Sequence, residues 1–322
     1  MTFLTPQAEQ HPQAAGRATA QLQRMIQADP ALDGATLDQM LRLVPDRRAI
    51  WAGQFQGQPA VFRLALSPED AATFAQEWQE LQRANAYMAT GPHRVVTPFA
   101  LAGEGQIMVL EQAAGVPLLD HLWSLDADQR ITWFAKAAAW AAQFCAPTEQ
   151  ATPMNRGPWR TWAEAALARQ THPELIAVET RLLQKMKKLS RHLRNHDTWR
   201  SAIAHGDFHP NNLIAAPDRM TGIDLGGSNR SPVYKDMARF LTHMARRGMV
   251  PSGHHRFGVD ATAYDAFVQA FDLDEAEATL HLPYLICFET LIRVEHPAMP
   301  AARIEHAVTL AENLSQDLRQ IL

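Results

Sequence analysis

Cysteine and lysine are scarce in this sequence, and long apolar runs are missing from it. The 322 residues include two cysteines, Cys145 and Cys287, and no Cys-x-x-Cys spacing. This pattern argues against a disulfide framework and against a thiolate zinc site, so we expect two buried free thiols. No apolar run reaches the roughly 18 residues of a membrane-spanning helix, and the first residues do not resemble a signal peptide. We therefore expect a cytoplasmic protein with no membrane partner.

The charge of the chain is nearly balanced, with 30 basic and 34 acidic side chains and a net charge of −4. A broad phosphate-neutralising surface is therefore not expected, which excludes non-specific nucleic-acid binding. Only five of the basic residues are lysines, and the first of these is Lys136. Any function in the first 135 residues that normally uses a lysine must be carried out by an arginine.

The first third of the chain predicts a small mixed domain. Residues 1–35 form a helical or frayed leader, with one plausible helix at 18–28. Residues 36–112 contain β-like runs separated by turn residues, which predict a five-stranded antiparallel sheet. The runs are 41–44, 49–55, 60–66, 95–101 and 106–110. Between them Ser67-Pro68-Glu69-Asp70 predicts the start of a single amphipathic helix that extends to Met88.

The rest of the chain, residues 113–322, has mostly helical periodicity. The predicted helices cover 126–143, 159–169, 173–195, 233–249, 261–271, 275–294 and 303–322. Residues 203–228 interrupt this pattern with short β-like pieces among dense polar side chains. The fold class predicted is α+β, with a small sheet domain followed by a helical domain.

Oxygen-bearing side chains are concentrated in that interruption. It reads His205-Gly206-Asp207-Phe208-His209-Pro210-Asn211-Asn212, and Asp224 follows in Gly222-Ile223-Asp224-Leu225-Gly226. Phosphoryl transfer needs a carboxylate that can accept a hydroxyl proton, together with oxygen ligands for Mg²⁺. Asp207, Asn212 and Asp224 supply this set, at the spacing of the catalytic and metal loops of kinases.

On these motifs the chain resembles the aminoglycoside phosphotransferase and choline kinase superfamily, whose fold is bilobal and similar to that of protein kinases. The segment Tyr234-Lys235-Asp236-Met237-Ala238 adds to the resemblance. It implies Asp207 as the catalytic base, Asn212 and Asp224 as Mg²⁺ ligands, and His205 and Asp236 as supports of the loops. It also implies ATP binding in a cleft between the lobes, and transfer of the γ-phosphoryl group to a hydroxyl of a small molecule.

In this fold a cation on the third strand of the N-lobe is held by an acid on the helix. Arg63 occupies the cation position, and Glu77 lies 14 residues later on the predicted helix, with Glu80 a less favoured partner. Arg63 is planar and bidentate where lysine is a compact point charge. We therefore expect an Arg63–Glu77 ion pair that still serves the nucleotide phosphates.

Two further nucleotide-binding segments are implied by the resemblance. Glu111 and Ala113 stand where a hinge would present backbone groups to adenine. The turn Pro45-Asp46-Arg47-Arg48 replaces a glycine-rich phosphate loop, so backbone amides are not expected to approach phosphate closely there. Arg47 or Arg48 could reach the nucleotide instead, although exposed turn arginines are the simpler interpretation.

Two other readings of the same residues remain open. One is a kinase-fold protein that binds a nucleotide with little or no turnover, which Arg63 and the glycine-free turn favour. The other is a metal-dependent hydrolase built on His205, Asp207 and His209. The acceptor and the oligomeric state are not specified by the sequence. After Ser231 there are 12 acids and eight bases, an excess mildly compatible with a cationic acceptor such as an aminosugar or an amino alcohol.

Overall fold

The structure is a computed structural model that describes residues 11–322. Its contacts group the chain into two compact units. Unit 1 contains the chain up to Val116 and the returning segment Ile214–Ser228, and unit 2 contains Pro117–Leu213 and Asn229–Leu322. The boundary lies four residues beyond the expected one at residue 112. The segment Ile214–Ser228, which the sequence assigns to the helical domain, joins unit 1 because its strands pair there.

Unit 1 is built on a five-stranded antiparallel sheet of order β1-β2-β3-β6-β5. Its strands are β1 (Ala35–Val44), β2 (Arg48–Phe55), β3 (Gln58–Ala65), β5 (Pro98–Ala102) and β6 (Ile107–Glu111). A second sheet of order β4-β11-β10-β7 consists of β4 (His93–Val95), β7 (Val116–Pro117), β10 (Leu213–Ala216) and β11 (Arg219–Gly222). The single run predicted at 95–101 is therefore divided between two sheets, because β4 pairs in parallel with β11.

Two helices belong to unit 1, α1 (Pro12–Ala28) and α2 (Pro68–Met88). The start of α2 follows the predicted pattern, since the Ser67 hydroxyl accepts a hydrogen bond from the backbone N–H of Asp70. The helix expected at 18–28 is present as α1 and begins earlier, at Pro12. It buries Ala18 and Leu22 against the sheet core around Trp51 and Phe62, so residues 12–28 are an integral layer of this unit. Residues 1–10 of the expected leader lie outside the described part of the chain.

Unit 2 is mainly helical. Its helices are α3 (Leu118–Ser124), α4 (Ala127–Cys145), α5 (Gly157–Leu167), α6 (Pro173–His192), α7 (Tyr234–Ala245), α8 (Ala261–Ala270), α9 (Leu282–Leu291) and α10 (Ala301–Asp317). The helix predicted over 275–294 begins with a π-helical segment, Glu277–His281. Three short strands, β8 (Gln150–Pro153), β9 (Thr198–Ala204) and β12 (Asn229–Pro232), form a sheet of order β12-β9-β8. A two-stranded ribbon of β13 (His255–Arg256) and β14 (Val259–Asp260) precedes α8. Both cysteines are buried and free, as the sequence predicts.

An aromatic stack forms the centre of unit 2. The ring of Phe208 lies between those of Trp140 on α4 and Phe240 on α7, with centroid distances of 5.6 and 5.4 Å. All three side chains are fully buried. Because Phe208 directly follows Asp207, this packing anchors the polar loop to two helices. No helix among residues 11–322 is long and apolar enough to cross a membrane.

The backbones of β1 and β2 approach closely at Gly53, and this packing can be tested by adding a methyl group there. Gly53 pairs with Leu37 beside a bulge in β1, and a Cβ at Gly53 would lie 2.0 Å from the Thr36 carbonyl oxygen. We expect Gly53→Ala to lower the free energy of unfolding by about 1–3 kcal/mol, since overpacking forces the backbone to shift. Gly16→Ala on α1 is the matched control, because a Cβ there meets nothing within 4 Å. It should stabilise the helix by roughly 0.5–1 kcal/mol. Urea unfolding of both variants measures the difference, and equal midpoints would contradict the packing argument.

Candidate active site

The loop that carries Asp207 is held in place by the first turn of α7. The buried carboxylate of Asp236 accepts hydrogen bonds from the backbone N–H groups of His205 and Gly206, at 2.7 and 3.2 Å. The Lys235 ammonium donates to the Gly206 carbonyl at 2.9 Å. Gly206 adopts a φ of 86°, which a residue with a Cβ rarely does. The loop backbone is therefore fixed on both sides of Asp207.

The Asp207 carboxylate lies between the Arg239 guanidinium and the His209 imidazole and remains half exposed. Arg239 donates through Nε to Oδ1 at 2.9 Å, and His209 Nε2 lies 3.4 Å from Oδ2. Burial acts to raise the pKa of Asp207, but the contact with His209 and the charge of Arg239 outweigh it, so that its pKa lies well below the ordinary value. The side chain is 50 % exposed. It is thus an ionised, oriented carboxylate that a substrate hydroxyl can reach.

Asn212 is brought to the same loop by a short 3₁₀ turn, Pro210–Asn212. Its Nδ2 donates to the Asp207 backbone carbonyl at 3.0 Å. This bond uses the amide nitrogen and leaves the oxygen, the atom that a hard cation prefers, facing away from that carbonyl. The unit 2 residues singled out by the sequence, His205, Asp207, Asn212 and Asp236, therefore lie together.

In unit 1 the side chains of Arg63 and Glu77 form a buried ion pair. Arg63 Nη1 donates to Glu77 Oε1 at 2.5 Å, and Arg63 Nη2 lies 3.6 Å from Asp224 Oδ1. Burial acts to lower the pKa of Arg63, but the charges of Glu77 and Asp224 outweigh it and hold that pKa above its ordinary value. Glu80, the less favoured partner, pairs instead with Arg83. The guanidinium also lies 4.9 Å from the centroid of the Phe74 ring, which holds it on α2.

Asp224 differs from its neighbours in conformation and in exposure. It has a φ of 62° and a ψ of 58°, a left-handed conformation that costs energy for a residue other than glycine. Its side chain is 54 % exposed. The next turn, Leu225–Gly227, places Gly226 against Glu77, where an added Cβ would lie 3.2 Å from Oε2. The strained conformation thus keeps the Asp224 carboxylate beside Arg63 and open to solvent.

The residues expected near the nucleotide, Glu111 and the turn arginines, make contacts within the protein. The Glu111 carboxylate accepts from the backbone N–H and the hydroxyl of Thr97, at 3.0 and 2.9 Å, and from Arg94. Glu111 therefore fixes β6 to the end of β4 with its side chain, and Ala113 follows just beyond β6. Arg47 donates a hydrogen bond to the Asp70 carboxylate at the start of α2, so its guanidinium already has a structural partner. Arg48 is the first residue of β2.

Two residues near Asp207 were missed as partners by the sequence prediction. Arg239 was not considered, although it lies three residues after Asp236 and so on the same face of a helix. His209 was considered only as a metal ligand. Its contact is with Asp207, while the His205 ring packs among Trp140, Phe144 and Phe208. Within residues 11–322 no three His, Cys, Asp or Glu side chains are arranged to hold a metal ion.

An antiparallel sheet unit with a buried Arg–Glu pair, and a helical unit with a fixed His-Gly-Asp loop, define the class of small-molecule kinases. The sequence matches the model of the phosphotransferase enzyme family over residues 45–279, which is well over half of the chain. The chain therefore belongs to that family and is a transferase of this class. The resemblance and the α+β kinase-like fold predicted from the sequence are confirmed.

Solved structures show the same fold. The amicoumacin kinase hAmiN, in complex with AMP-PNP, Ca²⁺ and Ami, is 13 % identical, with a TM-score of 0.60 over 97 % of this chain and all of its own. A choline/ethanolamine kinase family protein from Mesorhizobium loti is 14 % identical, with a TM-score of 0.60 over 94 % of this chain and 99 % of its own. A glucosamine kinase in complex with glucosamine, ADP and inorganic phosphate is 17 % identical, with a TM-score of 0.56 over 90 % and 83 %. No curated protein sequence matched significantly.

Arg63 is buried and Asp224 is exposed, so the two residues should contribute differently to the stability of the fold. We expect Arg63→Met to lower the free energy of unfolding by about 3–5 kcal/mol, because it leaves the carboxylate of Glu77 buried without its cation. Asp224→Asn, at the exposed end of the same contact, should change it by no more than about 1 kcal/mol. Denaturant unfolding of the two variants measures both values. A large loss in Asp224→Asn would show that this carboxylate is structural.

Proposed function

We propose that the protein transfers the γ-phosphoryl group of ATP, with Mg²⁺, to a hydroxyl group of a small molecule. The observation that carries this proposal is the Asp207 carboxylate, which is ionised, half exposed and fixed by contacts on both of its oxygens. Family membership supports the same reaction class. Asp207 orients the acceptor hydroxyl and accepts its proton. A bond forms between the acceptor oxygen and the γ-phosphorus, and the bond from that phosphorus to the ADP oxygen breaks.

The low pKa of Asp207 suits this role. A carboxylate with a depressed pKa is a weak base, so it cannot drive early deprotonation of an alcohol. Phosphoryl transfer passes through a loose transition state in which the nucleophile needs positioning more than activation. The contacts of Arg239 and His209 with the two Asp207 oxygens supply that positioning. Arg239 is a positioning residue in this proposal.

Asn212 and Asp224 fit a divalent cation by the chemistry of their donor atoms. Both offer oxygen, which Mg²⁺ and Ca²⁺ prefer, and the Asn212 amide nitrogen is already bonded to the Asp207 carbonyl. When bound, the cation neutralises charge on the polyphosphate. Arg63 contacts Glu77 and Asp224. Its guanidinium would also pair with the nucleotide phosphates. The backbone of Glu111 and Ala113 is proposed to contact the base.

The first test of this reaction is Asp207→Asn. The amide keeps the shape but accepts no proton, and its nitrogen cannot accept the bond from Arg239. We expect phosphoryl transfer to fall by 10²-fold or more, while the Kd for Mg-ATP stays within about twofold. A coupled ADP-release assay with a panel of hydroxylated metabolites measures turnover, and calorimetry measures binding. Undiminished turnover in the variant would refute the assignment.

The second test is Asp224→Ala, which removes one proposed metal ligand. The Kd for Mg-ATP should rise by about tenfold or more, since a lost charged contact weakens binding by roughly 1.5–3 kcal/mol. The Kd for ATP in the presence of EDTA should change much less. Titration calorimetry of wild-type protein and variant, with and without Mg²⁺, gives both values. Equal Mg-ATP affinities would rule out the metal role. Mg-ATP binding by the wild-type protein with no turnover of any acceptor would favour the kinase-fold protein that binds a nucleotide without catalysis.

A further inference from the structure

Basic side chain types follow one face of α7 and continue past its end. Arg239 and His243 are four residues apart and share a face of α7. Arg247 follows beyond the helix end at Ala245, and its Nη1 donates to the His243 carbonyl. Arg239 is the residue that contacts Asp207. The row therefore begins at the proposed reacting carboxylate and leads away from it along unit 2.

Two histidines connect this row to the catalytic loop. The rings of His209 and His243 are stacked, with centroids 4.7 Å apart and planes at 18°. His243 is 6 % exposed. Its Nε2 atom and the Nδ1 atom of His209 are buried without a hydrogen-bond partner among the described residues. Buried polar atoms without partners are rare and costly, so the pair has hydrogen-bonding capacity that the protein itself leaves unused.

A third arginine comes from α10. His306, one turn after Arg303, packs against Gly248, where an added Cβ would lie 2.5 Å from the imidazole Cε1. This contact brings the start of α10 to the end of the α7 row. Arg303 lies 3.4 Å from Glu295 through Nη2, but its Nη1 atom is buried and has no partner in the described chain. We refer to Arg239, Arg247 and Arg303 as the arginine cluster.

Two carboxylates contact the three arginines of this cluster, Asp207 at Arg239 and Glu295 at Arg303, so one positive charge is left over. Glu295 also pairs with the fully buried Arg246, which lies 3.6 Å from Glu179. Burial raises the pKa of Glu179 to about 7, although the charge of Arg246 opposes the shift, so Glu179 carries only part of a negative charge near neutral pH.

Arg247 has no carboxylate within 4.0 Å among residues 11–322, and its Nη1 donates only to the His243 carbonyl, at 3.0 Å. Burial together with the charges of Arg303 and Arg239 lowers the pKa of Arg247 to about 10. Positive charge is thus concentrated in a partly desolvated place, which is unfavourable unless an anion joins it.

We propose that the arginine cluster binds an anionic group, a carboxylate or a phosphate, of the acceptor whose hydroxyl lies at Asp207. This inference rests on the proposed function and names the class of its acceptor. Arginine suits this role because its planar fork matches both anions. The γ-phosphoryl group is not the intended anion, because Arg247 lies beyond the end of α7, eight residues along the chain from Arg239, the residue that contacts Asp207. The acid excess counted after Ser231 is mildly compatible with a cationic acceptor, whereas the arginine cluster favours an anionic one.

Three probes that differ in one substituent test the inference: glycerol, glycerate and glycerol 3-phosphate. Titration calorimetry with nucleotide-free protein is expected to detect binding of glycerate, glycerol 3-phosphate or both, and none of glycerol at the same concentration. Which of the two anions binds more tightly identifies a carboxylate or a phosphate site. If neither anion binds more tightly than glycerol, the proposal is wrong.

Variants assign the binding to the cluster. Arg247→Gln removes a cation that has no ion pair, so the fold should be retained, and the Kd of the preferred anion should rise about tenfold or more. Arg247→Lys should recover part of the affinity by restoring the charge. Arg181→Gln, at an exposed arginine on α6, is the matched control and should bind as the wild-type protein does. Unchanged anion affinity in Arg247→Gln would overturn the proposal.

Mg-ATP affinity separates this inference from the proposed function. It should be the same in Arg247→Gln and in wild-type protein, and a weaker Mg-ATP complex in the variant would mean that the cluster serves the nucleotide instead. Loss of the proposed function would appear as absent Mg-ATP binding by the wild-type protein. If the present inference is wrong, the wild-type protein will still bind Mg-ATP but will bind glycerate and glycerol 3-phosphate no more tightly than glycerol.

Discussion

The position of Asp207 depends on one buried carboxylate, that of Asp236. An ionised carboxylate removed from water is unfavourable unless it is hydrogen-bonded, and Asp236 obtains its bonds from the backbone of His205 and Gly206. The loop in turn has no other way to satisfy these donors away from water. Loop and helix α7 therefore stabilise each other, and any shift of the helix start moves the proposed base. The same helix presents Arg239 one turn later, so a single element sets both the backbone and the side chain of Asp207.

The absence of lysine from the first 135 residues is explained by what Arg63 does in unit 1. A guanidinium has two terminal nitrogens, and those of Arg63 contact Glu77 and Asp224 separately. An ammonium is a compact point charge and would have to share one position between the two acids. Arginine at this position therefore keeps a permanent cation between Glu77 on α2 and Asp224. An arginine at the position usually occupied by lysine is therefore no reason to regard the chain as inactive.

The sequence predicts the fold class and the family resemblance well because both depend on local patterns. Short stretches of sequence are enough to show the apolar alternation of the strands and the helical periodicity after residue 113. The same holds for the spacing within the His-Gly-Asp motif. The sequence prediction fails where a contact joins distant segments. The apolar face of α1 consists largely of alanines, with Leu22, Met25 and Ile26 as its larger members. The helix is readable from this spacing, but the sheet that it covers is not. The pairing of β4 with β11 and the contact of Arg239 with Asp207 bridge 127 and 32 residues, and no local signal encodes them.

The charges of the C-terminal third show why composition cannot identify the acceptor. Exposed acids on helix surfaces are screened by water and salt, and they contribute little to binding. A cation that is partly desolvated interacts far more strongly with a bound group, because the surrounding dielectric is lower. Arg247, without an acid to pair with, therefore outweighs several exposed acids in deciding which ligand is favoured. The net charge of a segment and the charge around one group of its side chains are independent quantities, because most of the acids after Ser231 need not lie near Arg247.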